Sequence, residues 1–128
     1  MIEYLSKDGF DNPRVNPDQY GIDVLAELKN VPYAFEAEVK HNWKGKTFPF
    51  AEIHFPGRKI KFSNVEGIEQ QNTLFVMFNH ERTYALATNA KVLASSPVVA
   101  KTTIYTGMEQ FVEISLNHVV FFPVSKNQ

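Results

Sequence analysis

Apolar and polar residues alternate along Tyr33-Ala34-Phe35-Glu36-Ala37-Glu38-Val39-Lys40, and the shorter Gly21-Ile22-Asp23-Val24-Leu25-Ala26 does the same. A period of two sends successive side chains to opposite faces of a half-buried strand. Tyr33, Phe35, Ala37 and Val39 therefore share one face, and Ala34, Glu36, Glu38 and Lys40 the other. A hairpin turning at Asn30-Val31 joins the two strands, and its register sets Asp23 opposite Glu38. Directly opposed Cβ atoms lie about 5 Å apart, where like charges repel. A divalent cation between the two carboxylates removes that objection.

The remaining pattern is mostly strand. Residues 6 to 19 are dense in turn formers and read as an irregular lead-in, leaving Met1 to Leu5 room for a single helical turn. His41 to Lys46 reads as a loop. Ile53-His54-Phe55, bounded by Pro49 and Pro56, suits an edge or irregular strand. Arg58 to Phe62 restarts an alternation with Ile60 and Phe62 inward or semi-buried, and residues 63 to 72 are loop-like. Thr73 to Phe78 is a continuous apolar run, as expected of a strand covered on both faces; Asn79 to Arg82 turns it, and Thr83 to Ala87 returns. Asn89 is positioned to cap a short helix at Ala90 to Ala94, which Pro97 ends. Thr102 to Tyr105 and Phe111 to Ile114 read as further strands, unless the second begins a short helix at Met108; Val119 to Phe122 reads as a buried strand, and Lys126 to Gln128 as a frayed tail.

Composition narrows the class. A length of 128 residues predicts one domain, with a lead-in over 1–19, the paired strands and a basic segment over 20–62, and the remaining sheet over 72–124. The chain has no cysteine, which excludes a disulfide framework and a thiolate metal site. No stretch has the length of a membrane span, and the expectation is a soluble, cytoplasmic protein. Net charge is only −1, yet residues 38 to 61 carry six basic side chains (Lys40, Lys44, Lys46, Arg58, Lys59 and Lys61) against two acidic ones, Glu38 and Glu52. A basic stripe beside a carboxylate cluster is what a phosphodiester substrate would require, although surface lysines are commonly just solvated.

Asp23, followed after fourteen residues by Glu38-Val39-Lys40, resembles the D...(D/E)-x-K signature of the PD-(D/E)xK nuclease superfamily. Tyr20-Gly21-Ile22-Asp23 resembles its first catalytic strand, Phe35 to Lys40 its second, and residues 72 to 93 resemble its later strands more loosely. The resemblance implies an α/β fold with a restriction-endonuclease-like mixed sheet, strand-rich with few short helices. It also implies Mg²⁺, with Mn²⁺ as substitute, on Asp23, Glu38 and the Val39 carbonyl, and a catalytic role for Lys40 beside Asp23 and Glu38. DNA is the implied substrate, in the manner of resolvase-like or phage-encoded minimal nucleases. Family members often add a glutamate from an N-terminal helix, for which Glu3 is the candidate.

Other residues keep two readings. Glu36 shares the Glu38 face and either supports the metal or faces solvent. Arg58, Lys59, Lys44 and Lys46 are candidate phosphate contacts, Arg through bidentate bonds; a solvated turn explains them as well. His41 and His54 lack ligand spacing to another histidine, and Trp43 and Phe50 suit either base stacking or the core. Phosphate-loop, nucleophile-elbow and HExxH patterns are all missing from the sequence. The expectation is a Mg²⁺-dependent deoxyribonuclease working as a homodimer. Its rivals are an inactive nucleic-acid-binding or nuclease-inhibiting protein of the same fold, and a β-rich interaction module with surface carboxylates.

Overall fold

Residues 1–18, 21–103 and 107–124 are described by the computed structural model. A short helix α1 (Ile2–Lys7) leads into strands β1 (Asp11–Val15), β2 (Val24–Leu28) and β3 (Val31–Val39). Strand β4 (Glu52–Pro56) and a 3-10 segment (Gly57–Ser63) precede β5 (Thr73–Phe78) and β6 (Tyr84–Asn89). Helix α2 (Ala90–Ser95), β7 (Val98–Thr103), β8 (Gly107–Ser115) and β9 (Val120–Pro123) complete the chain. Six strands form one sheet in the order β1-β2-β3-β5-β6-β9, and three form a second, β4-β8-β7. The larger sheet is mixed, because β3 and β5 run parallel while the other pairs are antiparallel. The architecture is strand-rich with few short helices, as expected, but in two sheets.

The β2–β3 hairpin corrects the predicted register. Val24 pairs with Phe35 and Leu28 with Val31, so the two-residue turn is Lys29-Asn30 rather than Asn30-Val31. Lys29 and Asn30 both have positive φ, +50° and +67°. A tight hairpin matching strand twist needs φ > 0 at both central residues, which asparagine tolerates and β-branched valine does not. Moving the turn by one residue shifts each partner by two. Faces are preserved, and Asp23 comes to lie beside Glu36 instead of Glu38.

The lead-in also holds more structure than its turn formers suggested. β1 is the edge of the large sheet, where Pro13 costs no inner ladder bond and a register irregularity between Asp11 and Arg14 absorbs the positive φ of Asn12. Conversely, Arg58 to Phe62 is not a strand: it coils as the 3-10 segment after Pro56-Gly57. Asn89 caps α2 as expected, its side chain accepting from the Val92 N–H at 3.0 Å. Tyr20, Ile104, Tyr105 and the tail 126–128 lie outside the described residues.

Two faces of the large sheet are covered differently. On one, α1 packs Leu5 over Val24, Ala26 and Phe35. The other meets the small sheet, and Phe75, Met77 and Leu86 interlock with Ile53, Phe55, Val112 and Ile114, joined by Trp43 and Leu93. The alternation places Asp23, Glu36, Glu38 and Lys40 on this second face, at the β2–β3 end of the inter-sheet layer.

Candidate functional site

Asp23 stands just before β2 and remains exposed. Its backbone is held by its neighbours: the carbonyl accepts from the Asn16 N–H at 3.0 Å, and its N–H donates to Glu36 Oε1 at 3.2 Å. Its own Oδ2 accepts from the Ala37 N–H at 3.2 Å. Beyond the last backbone pair, therefore, the two strands are joined by reciprocal side-chain-to-backbone bonds. Glu38 is then the diagonal rather than the direct neighbour of Asp23, a separation of about 7–8 Å that long side chains can bridge.

Glu36 is buried, with only 6 % of its surface exposed. Its Oε2 pairs with the ammonium of Lys59, itself enclosed. Lys59 is carried there by the 3-10 segment after β4. A Cβ at Gly57 would lie 3.0 Å from the Gln110 carbonyl oxygen, so glycine permits the close pass over β8 that aims this segment at β3. A cleft of about 230 Å³ results, with Asp23 and Glu36 facing Arg58, Lys59 and Lys61.

Glu38 occupies a different environment. Its Oε1 is buried and meets no hydrogen-bond partner among the described residues. Burial pushes its carboxyl pKa up; Lys59, Lys40 and Arg58 oppose the shift and Glu36 reinforces it. Lys40 follows the end of β3, and its N–H donates to the Phe78 carbonyl at 2.9 Å, continuing the strand for one more residue. Burial pushes the Lys40 ammonium pKa down, with Glu38 countering and Lys101 adding to the fall. Its Nζ sits 4.9 Å from the centre of the Phe50 ring. A buried carboxylate oxygen without a hydrogen bond and a half-buried ammonium two residues apart are costly for a purely structural strand.

The other expected residues scatter. Glu3 is exposed on α1 and, with Lys7 and Arg82, rims a hollow of about 500 Å³ over Ala37 and Val39 that Glu38 also borders. Arg58 is exposed, 3.5 Å from Glu109. Lys44 and Lys46 lie exposed in the loop after Lys40, Lys46 over the Tyr84 ring at 5.5 Å. Trp43 is fully buried, in edge contact with Phe48 and Phe121, and takes the core reading rather than the stacking one. His54 pairs with Glu113 at 2.9 Å, whereas His41 and His80 approach through their Nδ1 atoms at 3.2 Å. Lys59 is the residue whose setting the sequence concealed, because a basic turn and a buried counter-ion read alike in one dimension.

Among the described residues, no cluster of three or more His, Cys, Asp or Glu side chains is placed to hold a metal ion. The carboxylate donors at hand are of the chemical type that a hard divalent cation such as Mg²⁺ takes. They are oxygen ligands, Glu38 has an unsatisfied oxygen, and such an ion takes one or two carboxylates and keeps waters for its other positions. Comparison with family models, with curated proteins and with solved structures finds no match to this chain.

Proposed function

We propose that this chain is a metal-dependent endonuclease that hydrolyses DNA phosphodiester bonds, with Asp23, Glu38 and Lys40 as its catalytic residues. The observation that carries the reading is the buried Glu38 Oε1, which meets no hydrogen-bond partner among the described residues, on one strand face with Lys40; the neighbouring strand brings the exposed Asp23 to a cleft lined by basic side chains. The mixed sheet supports a restriction-endonuclease-like core. Asp23, Glu38 and the Val39 carbonyl would hold Mg²⁺ or Mn²⁺. When bound, such an ion makes a nucleophile from water near neutral pH and offsets charge growing on the phosphoryl oxygens.

The chain's own residues do the rest. Lys40, half-buried and with a lowered pKa, orients the attacking water and stabilises developing negative charge. Arg58 projects from the cleft wall and is suited to a phosphate oxygen. The decisive experiment incubates purified protein with supercoiled and branched DNA in Mg²⁺ or Mn²⁺, with and without a chelator. Cleavage that stops on chelation supports the proposal. Binding without cleavage in either metal would replace it with a nucleic-acid-binding or nuclease-inhibiting role.

A further inference from the structure

Ile53 and Phe55 of β4 point into the core, so the alternation turns His54 to the opposite face of the small sheet. There it stands directly across from Glu113 on β8, with Nε2 2.9 Å from Glu113 Oε2. Its other ring nitrogen, Nδ1, lies 3.5 Å from the ammonium of Lys101, which reaches over from β7. A lysine ammonium can only donate, so Nδ1 is the bare nitrogen and Nε2 carries the hydrogen that Glu113 accepts. The carboxylate thus fixes the imidazole, and the imidazole in turn fixes the ammonium.

We propose that Lys101 is a phosphate contact of the site, aimed by His54 and Glu113, and that it holds the DNA backbone together with Lys40. The inference rests on the DNA-directed reading above and adds a binding residue to it. Lys59 provides the contrast. It meets the Glu36 carboxylate directly, with side-chain exposures of 11 % and 8 %, so its charge is enclosed and neutralised. Lys101 is exposed, and a neutral ring stands between its ammonium and Glu113, so it is oriented without being neutralised. Holding a long side chain in place beforehand reduces the rotamer freedom lost when a ligand arrives. Lys101 is also near enough to Lys40 for its charge to add to the fall in the Lys40 pKa. Neighbouring ammonium groups repel each other, and an anion set against both removes that cost; each phosphate of a DNA strand supplies one negative charge. Lys101 is then the contact, and His54 and Glu113 are positioning residues.

The test is fluorescence anisotropy of a short labelled DNA duplex with the full chain, over a salt series and in a chelator, so that binding is read apart from cleavage. Lys101→Met alters an exposed strand residue and should weaken binding roughly tenfold at about 0.1 M salt, with the slope of log affinity against log salt lower by about 1. His54→Phe keeps a ring but loses both nitrogens, and should weaken binding in the same direction. His54→Gln, with an oxygen to accept from Lys101 and an amide to donate to Glu113, should recover most of the loss. Lys29→Met, at the far end of β3, serves as the control for net charge and should leave the slope unchanged. An unchanged slope in Lys101→Met, or an equal fall in Lys29→Met, would overturn the inference and leave the nuclease reading to its own chelator test. Binding by His54→Phe equal to wild type would overturn the aiming role of His54. A wild type that binds no DNA would overturn both readings.

Discussion

Burial of the Glu38 carboxyl costs stability, and the sign of that cost can be read in pH. Its folded-state pKa is raised, so its contribution to stability is fully present below the ordinary carboxyl pKa and lost as pH rises through the folded value. Glu38→Gln removes the buried charge. The variant is expected to melt above wild type at pH 7 in metal-free buffer, with the difference closing as the solution is acidified. Calorimetric melts across pH 4–8 check this, and an equal midpoint at all pH values would contradict it. Saturating Mg²⁺ or Mn²⁺ should reverse the order, because an ion at 100 times its Kd adds about 2.7 kcal/mol to the protein that binds it. At Lys40 the expectation is kinetic. Lys40→Ala should keep metal affinity and lose roughly 10²-fold or more in single-turnover cleavage, whereas Asp23→Asn should lose metal binding and cleavage together but retain DNA.

Elements built on local periodicity were legible from sequence. The alternation of β3, the apolar run of β5 and the Asn89 cap of α2 all lie where the pattern places them. The turn was missed by one residue, because alternation fixes faces but not partners, and partners follow from which residues tolerate positive φ. β1 was hidden by Asn12-Pro13, which only an edge position with an irregularity can accommodate. The 3-10 segment defeats period-two reading for another reason: Lys59 points inward to meet Glu36, a contact twenty-three residues away in the chain. Two stability predictions belong at this scale. Lys29→Asn with Asn30→Gly supplies the residues that the hairpin turn prefers and should stabilise by about 1 kcal/mol in denaturant titration. Asn79→Ala should cost about 2–4 kcal/mol. The buried Asn79 side chain holds the Gly45 carbonyl, the Thr83 hydroxyl and the Thr83 and Tyr84 N–H groups, and so ties the loop after Lys40 to the β5–β6 turn.

For the whole molecule, the expected partners are DNA and a second copy. Arg58→Ala should weaken binding alike across DNA sequences and lower the slope of log affinity against log salt by about 1, since one phosphate contact is lost. Fluorescence anisotropy over a salt series measures it, and an unchanged slope would return Arg58 to a solvated turn. If one site per domain cuts both strands of a duplex, a homodimer is the economical arrangement. The apolar segments 48–55 and 119–122 are the candidates for a contact surface, but the core takes Ile53 and Phe55 from the first, and Phe121 of the second packs against it. Val120, 67 % exposed on the edge strand β9, and Phe50, 38 % exposed, remain outside. Light scattering at micromolar concentration is expected to give twice the chain mass, and Val120→Lys to restore the monomer. Paired cuts by a strict monomer would refute the dimer. No helix among the described residues is long and apolar enough to cross a membrane.

Trp43 gives the protein an optical reporter. It is the single tryptophan of the chain, fully enclosed between the two sheets, and its indole N–H meets no acceptor among the described residues. It also hangs on the loop that leaves Lys40, its backbone N–H donating to the Lys40 carbonyl at 3.1 Å and its backbone carbonyl accepting from the His80 N–H at 2.7 Å. An indole so far from water emits at short wavelength, and the emission should move to the red when the sheets part. The same ring should sense any strain transmitted along that loop from Lys40, so changes there can be followed in the native chain without a label.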